Sequence, residues 1–232
     1  MSKLIIALDF DDPAAALSLA EQLEPKNCAL KIGSELFTRA GPGIVHDVVT
    51  QGFRVFLDLK FHDIPNTVAQ ACKSAADLGV WMLTVHASGG PAMLQAAREA
   101  VETYGAAERP KIVAVTVLTS MAETTLPTVG VSGSLQDQVA RLAAMTEEAG
   151  LDGVVSSAQE ASFLRQQFGA GFLLVTPGIR LPGDATDDQS RVFSVQDALD
   201  AGSDYLVMGR SITRAEDPLA VVQKIQRTLN QA

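Results

Sequence analysis

The amino-acid sequence predicts an α/β protein of the (β/α)8 TIM-barrel class, with a single domain over residues 1–232. Three observations predict this fold. Eight apolar runs of strand length occur along the chain, helical segments separate them, and the runs are nearly continuous in Val, Ile and Leu, as is typical of parallel strands covered on both faces. A doubly wound open sheet is the competing fold, but no Gly-x-Gly-x-x-Gly motif follows the first run, and a count of eight favours closure.

The strands and helices are predicted in order from apolar runs and from the signals between them. The predicted strands cover residues 4–8, 29–32, 55–59, 81–85, 112–118, 153–155, 172–175 and 205–208. Asp12-Pro13 and Asp217-Pro218 predict two helix starts, because Asp caps a helix and Pro fits its first turn. Helix ends are predicted at glycines, which tolerate the backbone that often closes a helix. These glycines are Gly52, Gly79, Gly105, Gly150, Gly169 and Gly202.

Composition and charge limit the possible partners. At 232 residues and 47% hydrophobic, the chain can bury one large core. A net charge of −9 argues against general nucleic-acid binding, because an acidic surface repels a phosphate backbone. The first predicted strand begins at residue 4, which leaves no room for a signal peptide, and no apolar run approaches bilayer length. We therefore expect a soluble, cytoplasmic protein without membrane partners, whose isolated Cys28 and Cys72 are reduced and half-buried.

Polar residues follow nearly every predicted strand, at the face that carries the active site in barrels of this class. They are Asp9, Lys31, Asp58 with Lys60, His86 with Ser88, Thr119, Ser156 with Ser157, Thr176, and Gly209 with Arg210. We expect Asp9 to bind a ligand, because Asp11 and Asp12 are better placed to cap the first helix. His86 is predicted to be a packed or hydrogen-bonded residue. Ser88 and Ser156 have the alternative interpretation of helix caps.

The most informative motif is Asp-Leu-Lys-Phe-His-Asp-Ile-Pro-Asn-Thr at residues 58–67. Positions i and i+2 of a strand project to one face, so Asp58 and Lys60 are predicted to point together into the barrel mouth. Flanking carboxylates would keep the Lys60 ammonium charged and ready to donate its proton. The alternative is an ion pair with only a structural role in closing the barrel. The third nearby charge, that of Asp63, favours a catalytic role.

A phosphate site is predicted at the ends of the last two strands. Gly209 lets the backbone approach an anion closely, and Arg210 supplies a forked cation, in the loop that commonly binds phosphate in these barrels. The preceding loop, residues 176–189, is long, polar and rich in Gly and Pro, which is typical of a lid. It brings Arg180 and Gln189 toward the same corner.

Three reaction types are candidates for a site that combines Asp58, Lys60 and Asp63 with a phosphate-binding site. A Schiff-base aldolase needs a neutral lysine, which the carboxylates oppose. In a metal-dependent enolate enzyme, Asp58, His62 and Asp63 would be ligands, but Lys60 would repel the ion. Stabilisation and protonation of the carbanion left by departing carbon dioxide uses every group.

The 58–67 motif resembles the signature of the orotidine 5′-phosphate decarboxylase family in its bacterial form, and the similarity extends over essentially the whole chain. Further similar segments are residues 4–9, 30–33, 85–90, 117–120, 176–180 and 208–210. The Asp-x-Lys-x-x-Asp core alone is shared with sugar-phosphate decarboxylases and synthases of the same superfamily. The Ile-Pro-Asn-Thr extension, together with Arg180, Gln189 and Arg210, is more specific.

The resemblance implies decarboxylation of orotidine 5′-monophosphate to uridine 5′-monophosphate, the last step of de novo pyrimidine nucleotide synthesis, with no cofactor or metal. Lys60 would protonate C6 of the pyrimidine, and Asp58 would lie near the departing carboxylate and position Lys60. Asp9 and Lys31 would hold the ribose hydroxyls, and Thr119 would meet the pyrimidine. The residues at or near the phosphate would be Arg180, Gln189, Gly209 and Arg210.

The resemblance also implies a homodimer with shared active sites, in which Asp63, Ile64 and Thr67 reach into the neighbouring subunit's site. Two alternatives stay open. One is a metal-dependent phospho-sugar enzyme of the same superfamily. The other is a non-catalytic barrel that only binds a nucleotide or phosphorylated ligand, although such a module would not need Asp58, Lys60 and Asp63 together.

Overall fold

Eight parallel strands close into a barrel in the computed structural model, which describes residues 2–106, 108–181 and 193–230. Each strand pairs in parallel with the next along the chain, and the eighth pairs with the first. The predicted (β/α)8 class is therefore confirmed. The strands are β1 (Leu4–Ala7), β2 (Ala29–Gly33), β3 (Val55–Phe61), β4 (Met82–His86), β5 (Lys111–Val115), β6 (Gly153–Val155), β7 (Leu173–Thr176) and β8 (Tyr205–Met208).

Helices follow the strands and cover the outside of the barrel. They are α1 (Pro13–Glu21), α2 (Ser34–Ala40), α3 (Gly43–Thr50), α4 (Pro65–Asp77), α5 (Pro91–Val101), α6 (Leu135–Glu148), α7 (Ala158–Phe168), α8 (Val195–Asp200), α9 (Arg210–Thr213) and α10 (Pro218–Leu229). Two 3₁₀ segments, Ala87–Gly89 and Glu123–Val129, follow β4 and β5. In the part of the chain that the structure describes, no helix is both long and apolar enough to span a bilayer.

The predicted helix starts are correct. The Asp12 carboxylate accepts the Ala14 N–H at 2.9 Å at the start of α1, and the Asp217 carboxylate accepts the Ala220 N–H at 2.9 Å at the start of α10. Most predicted helix ends are correct too, because a glycine with positive φ lies at or just beyond the last helical residue. These glycines are Gly52, Gly79, Gly150, Gly169 and Gly202.

Two predicted boundaries are wrong by three residues or more. Helix α5 ends at Val101, before Gly105, because the chain turns there and the Tyr104 hydroxyl donates to the Asp77 carboxylate on α4 at 2.5 Å. Strand β5 ends at Val115 and not at residue 118, since residues 117–119 turn onto the rim of a cavity at the barrel mouth.

The barrel interior is filled by apolar side chains from alternate strand positions, as strand geometry requires. The buried members of this cluster are Ile5, Ala7, Ala29, Phe56, Met82, Val113, Val175 and Val207. Trp81 and Tyr205 pack against it edge to face, with ring centroids 5.0 Å apart, and the Arg54 guanidinium lies 4.3 Å from the Trp81 ring centroid. The side chains at the C-terminal ends of the strands therefore rest on a solid core.

Two arginine–carboxylate pairs connect strands at the N-terminal end of the barrel. Asp152, just before β6, accepts an N–H of β5 at 2.9 Å and binds Arg109 at 3.1 Å. Asp204, just before β8, accepts an N–H of β7 at 2.8 Å and binds Arg165 at 2.6 Å. Each carboxylate thus ties two adjacent strands to a neighbouring segment, which stabilises the end of the barrel opposite the cavity.

The first prediction concerns Gly153, which pairs with Leu173 where β6 meets β7. A Cβ at residue 153 would lie 2.1 Å from the Leu173 carbonyl oxygen, so the two strands must separate to admit it. We expect Gly153→Ala to lower the free energy of unfolding by at least ~1–3 kcal/mol, the usual effect of overpacking. Urea denaturation measures this value.

Gly43→Ala is the matched control, because a Cβ on Gly43, the first residue of α3, meets nothing within 4 Å. The control is expected to leave stability unchanged or to raise it by up to ~1 kcal/mol, since alanine restricts the unfolded chain. Equal effects of the two substitutions would show that the β6–β7 contact is not close.

Candidate active site

A cavity of about 680 Å³ opens at the C-terminal end of the barrel. Its wall is formed by residues of β1, β2, β3, β5, β6 and β8 and by the segments that follow β1, β2, β5, β7 and β8. The predicted site residues found on this wall are Asp9, Lys31, Asp58, Lys60, Thr119, Arg180, Gly209 and Arg210. The barrel therefore brings together residues that are up to about two hundred positions apart in the sequence.

Four of these residues form a row of charges that alternate in sign. Lys31 Nζ lies 3.0 Å from Asp9 Oδ1 and 3.6 Å from Asp58 Oδ2, and Lys60 Nζ lies 2.9 Å from Asp58 Oδ1. The side chains of Lys31 and Asp58 are only 11% and 13% exposed, whereas Lys60 is 34% exposed at the cavity. The two central charges thus depend on their neighbours, and the Lys60 ammonium is the one presented to the cavity.

The neighbours keep both central groups charged. Burial by itself would raise the pKa of Asp58, but the Lys31 and Lys60 ammonium groups and hydrogen bonds from Lys60 and Thr84 hold this pKa below its ordinary value. Burial would likewise lower the pKa of Lys31, but Asp58 and Asp9 hold it above its ordinary value. At neutral pH the site therefore contains a carboxylate between two ammonium groups.

Strand β3 is irregular where it carries Lys60. Lys60 has φ 53°, and within the described ranges no other non-glycine residue has a positive φ. The pairing of β3 with β4 shifts between Leu57 and Phe61. Asp58 and Lys60 meet, as strand alternation predicts, but Lys60 reaches this position through a left-handed backbone that costs ~1–2 kcal/mol. Such strain is typical of functional sites.

Thr84 is a polar contact that the sequence analysis missed. This residue of β4 is fully buried, accepts the Lys60 backbone N–H at 2.8 Å and donates to Asp58 Oδ1 at 3.1 Å. A signal was present, because Thr84 is the one polar residue among positions 82–85 and shares the inward face of Met82. Its partners depend on strand register, which the sequence does not show.

The imidazole rings of His62 and His86 lie beside this row of charges. Their ring centroids are 5.3 Å apart, with the planes tilted by 37°. Burial, then the nearby His62 and Lys60, lower the pKa of His86, so its imidazole is neutral at pH 7. This packing agrees with the predicted role of His86 as a packed residue.

The interpretation of Ser156 as a helix cap is wrong. The residue that caps α7 is Ser157, whose backbone N–H donates to the Glu160 carboxylate at 2.8 Å. Ser156 is fully buried, and its hydroxyl has no hydrogen-bond partner among the described residues. Ser88 lies within the 3₁₀ segment that follows β4.

Some predicted residues do not reach the cavity of their own chain. Asp63, Ile64 and Thr67 are exposed, and none of the three is among the described residues that line the cavity. The Asp63 carboxylate instead accepts the backbone N–H of Ile64 at 2.6 Å, and Ile64 is 67% exposed. Gln189 and most of the predicted lid lie outside the described residues.

The group of arginines that follows β7 and β8 is larger than predicted. Arg180 is buried and donates to the Ile179 carbonyl at 3.0 Å, while Arg210 begins α9. Arg214, the residue after α9, also lines the cavity, as does Glu35 in the first turn of α2. Arg214 was not predicted, although it lies one helical turn beyond Arg210 and therefore on the same side of α9.

Fold and site together define a class. The protein is a (β/α)8-barrel enzyme whose mouth is lined by a row of alternating ammonium and carboxylate groups and by arginines that follow β7 and β8. A model of the Orotidine 5′-phosphate decarboxylase / HUMPS family matches residues 2–225. The chain belongs to this family.

Named relatives cover nearly the full chain. A Legionella pneumophila (strain Corby) protein named orotidine 5′-phosphate decarboxylase is 58% identical over 227 residues, which cover 98% of this chain and 99% of the relative. A Chromobacterium violaceum protein of the same name is 56% identical, with 99% of this chain and 92% of the relative covered. The crystal structure of orotidine 5′-phosphate decarboxylase from Lactobacillus acidophilus has a TM-score of 0.88 at 36% identity, and covers 99% of this chain and 100% of that one.

The second prediction concerns the pH dependence of stability. Because the pKa of folded Asp58 is depressed, its charge stabilises the fold fully above the unfolded pKa of about 3.9, and this contribution is lost as pH falls through the folded pKa. We expect the free energy of unfolding of the wild type, minus that of Asp58→Asn, to decrease as pH is lowered from about 6 to about 3. Urea denaturation at each pH measures the difference. A difference that stays constant would mean that the pKa of Asp58 is the same in both states.

Proposed function

We propose that the protein decarboxylates orotidine 5′-monophosphate to uridine 5′-monophosphate and carbon dioxide, the last step of de novo pyrimidine nucleotide synthesis. The observation that carries this function is the Lys60 ammonium, held 2.9 Å from the Asp58 carboxylate on the cavity wall. Membership of the family and the names of its relatives support the same reaction.

Decarboxylation requires a positive charge close to one carbon atom, C6 of the pyrimidine. Cleavage of the bond between C6 and the carboxylate releases carbon dioxide and leaves the electron pair on C6. No adjacent carbonyl can readily delocalise this pair, so a fixed charge must stabilise it. Lys60 supplies this counter-charge and then donates an Nζ proton to C6, and solvent returns a proton to the amine. Enzymes lower barriers by ~8–23 kcal/mol with such effects.

Other residues hold the nucleotide around this point. Asp58 lies near the departing carboxylate and positions the ammonium, Asp9 and Lys31 bind the ribose hydroxyls, and Thr119 meets the pyrimidine. The residues at or near the phosphate are Arg180, Gln189, Gly209 and Arg210, and Arg214 adds a further cation to this corner. Binding energy at the phosphate is remote from C6 and contributes to catalysis by closing the site around the reacting ring.

The proposal includes a homodimer with shared active sites. Asp63, Ile64 and Thr67 would complete the neighbouring subunit's site, which accords with their exposure and their distance from the cavity of their own chain. Exposed apolar side chains after β3 and β5 support an interface at this end of the barrel: Ile64 is 67%, Leu118 40% and Val129 60% exposed.

We also propose that residues 1–232 form one catalytic domain that acts in the cytoplasm. Both cysteines support a reducing compartment, because Cys28 and Cys72 are buried free thiols. Burial raises the pKa of each thiol to about 12, so neither is a reactive thiolate.

The alternative of a metal-dependent phospho-sugar enzyme fits the donor set less well. Asp58 Oδ1 already accepts from Lys60 and Thr84, and Asp58 Oδ2 faces the Lys31 ammonium. Within residues 2–106, 108–181 and 193–230, no group of three His, Cys, Asp or Glu side chains is arranged to hold a metal ion. A non-catalytic nucleotide-binding barrel would have no use for the strained Lys60 backbone.

The third prediction tests the reaction and its proton donor. Chelator-treated wild type is expected to lower the absorbance of orotidine 5′-monophosphate while it releases carbon dioxide. Lys60→Ala should lose this activity by at least about 10²- to 10⁴-fold, because the general acid is absent, yet still bind uridine 5′-monophosphate. Lys224→Ala, the same change on the exposed side of α10, should retain full activity. Near-normal turnover by Lys60→Ala would contradict the assignment.

The fourth prediction tests the shared site. If Asp63 acts in the partner's site while Lys60 acts in its own, a Lys60→Ala/Asp63→Ala heterodimer has one site with both defects and one site with neither. Each mutant homodimer should be poorly active. After random subunit exchange, half the dimers are mixed, so activity should recover to about a quarter of that of wild-type sites. If verified exchange gives only the summed activities of the two mutants, Asp63 acts in its own barrel.

A further inference from the structure

The hydroxyl of Thr84 closes a ring of contacts that begins and ends at Lys60. The Lys60 backbone N–H donates to Thr84 Oγ1 at 2.8 Å, and Thr84 Oγ1 donates to Asp58 Oδ1 at 3.1 Å. The same Asp58 oxygen lies 2.9 Å from Lys60 Nζ. A hydroxyl has one proton, and acceptance of the Lys60 N–H leaves that proton directed at the carboxylate. The two ends of one lysine are thus tied to a single oxygen of Asp58.

The ring acts where the backbone needs support. Lys60 has φ 53°, and the pairing of β3 with β4 is irregular between Leu57 and Phe61, so the strand ladder does not by itself hold this residue in place. Thr84 lies on β4 opposite this irregular stretch and is fully buried. A strained conformation persists only where the surroundings over-determine it, and the Thr84 hydroxyl is a fixed acceptor at that point.

A general structural role does not explain this arrangement. Thr146, also fully buried, bonds only locally, because its hydroxyl donates to the Leu142 carbonyl of the same helix at 2.8 Å. Thr84, in contrast, bonds a backbone group 24 positions away and a carboxylate 26 positions away. Both partners belong to the proposed proton-transfer pair. Thr84 itself lies behind the described residues that line the cavity, so it acts through Lys60 and Asp58.

We infer that Thr84 is a positioning residue for the reaction: its hydroxyl holds the Lys60 backbone and the Asp58 carboxylate in the one arrangement that aims the ammonium at the substrate. This inference rests on the proposed function, because the direction of the Lys60 ammonium matters only where Lys60 donates a proton to the substrate. Among the described residues, β4 contributes none to the cavity wall, so Thr84 would give this strand its part in catalysis.

The experiment compares Thr84→Val with Thr84→Ser. Valine keeps the shape of threonine but neither accepts from Lys60 nor donates to Asp58, whereas serine keeps the hydroxyl. We expect Thr84→Val to lower kcat about tenfold or more, with KM within about twofold of wild type, and Thr84→Ser to restore most of kcat. Thr84→Ala gives the same comparison where Thr84→Val does not fold.

Thr146→Val is the control for the loss of a buried threonine hydroxyl, and it should lower stability without a change in kcat. An unchanged kcat in Thr84→Val, a rise in KM alone, or no rescue by serine would overturn the inference. If the wild type does not decarboxylate orotidine 5′-monophosphate, the proposed function itself fails. This outcome is distinguishable from failure of the Thr84 inference, because it is seen in the wild type and not only in the variants.

Hydrogen exchange tests the contact without substrate. The Lys60 amide should lose protection in Thr84→Val and keep it in Thr84→Ser, because its acceptor is the Thr84 hydroxyl. The Ile112 amide, which donates to Asp152 at the opposite end of the barrel, should keep its protection in both variants. Unchanged protection of Lys60 in Thr84→Val would overturn the inference independently of activity.

Discussion

The alternating row Asp9, Lys31, Asp58 and Lys60 is the interaction on which the site depends. Two carboxylates and two ammonium groups meet at the barrel mouth, and each buried central charge is tolerated because an opposite charge lies on either side. The residues come from β1, β2 and β3 or from the segments directly after them, so the register of these neighbouring strands sets the distances within the row. Closure of the barrel and the protonation states of the site are therefore linked. Loss of any one member would remove one of the two opposite charges beside Lys31 or Asp58, and would change the pKa of that residue.

The two ends of the barrel have different physical characters. At the N-terminal end, Asp152 and Asp204 each accept a strand N–H and bind an arginine, and the Trp81 ring packs against Tyr205. Both carboxylates thus have partners, although Arg109 Nη1 is buried without a hydrogen-bond partner among the described residues. The C-terminal end holds the left-handed backbone of Lys60, the buried charges and the exposed apolar side chains. Strain and desolvation at the C-terminal end are tolerable because the rest of the barrel is firmly packed.

The sequence predicted the fold and much of the site because both follow from local patterns. Apolar runs and Asp-Pro helix starts depend on neighbours in sequence, and parallel strands place Asp9, Lys31, Asp58 and Lys60 at one face whatever the details of their pairing. The errors have a common origin in tertiary contacts. Tyr104 ties its turn to α4 beyond the end of α5, and the positive φ of Lys60 lies within the β3–β4 register shift. Thr84 was missed for the same reason, since a buried threonine on a strand is usually unremarkable until the residue opposite it is known.

The left-handed backbone at Lys60 also explains how one short motif can serve two sites under the proposed homodimer. In a regular strand, residues 58, 60 and 62 would all face the barrel interior. The turn at Lys60 ends that alternation: Asp58 and Lys60 stay at the cavity, whereas the chain from His62 to Thr67 lies exposed on the rim. Helix α4 then begins at Pro65 and carries Thr67 outward with it. The conformation that turns the ammonium to the cavity also leaves Asp63 and Ile64 exposed, so under the proposed homodimer catalysis within one barrel and completion of the neighbouring site would depend on a single backbone geometry.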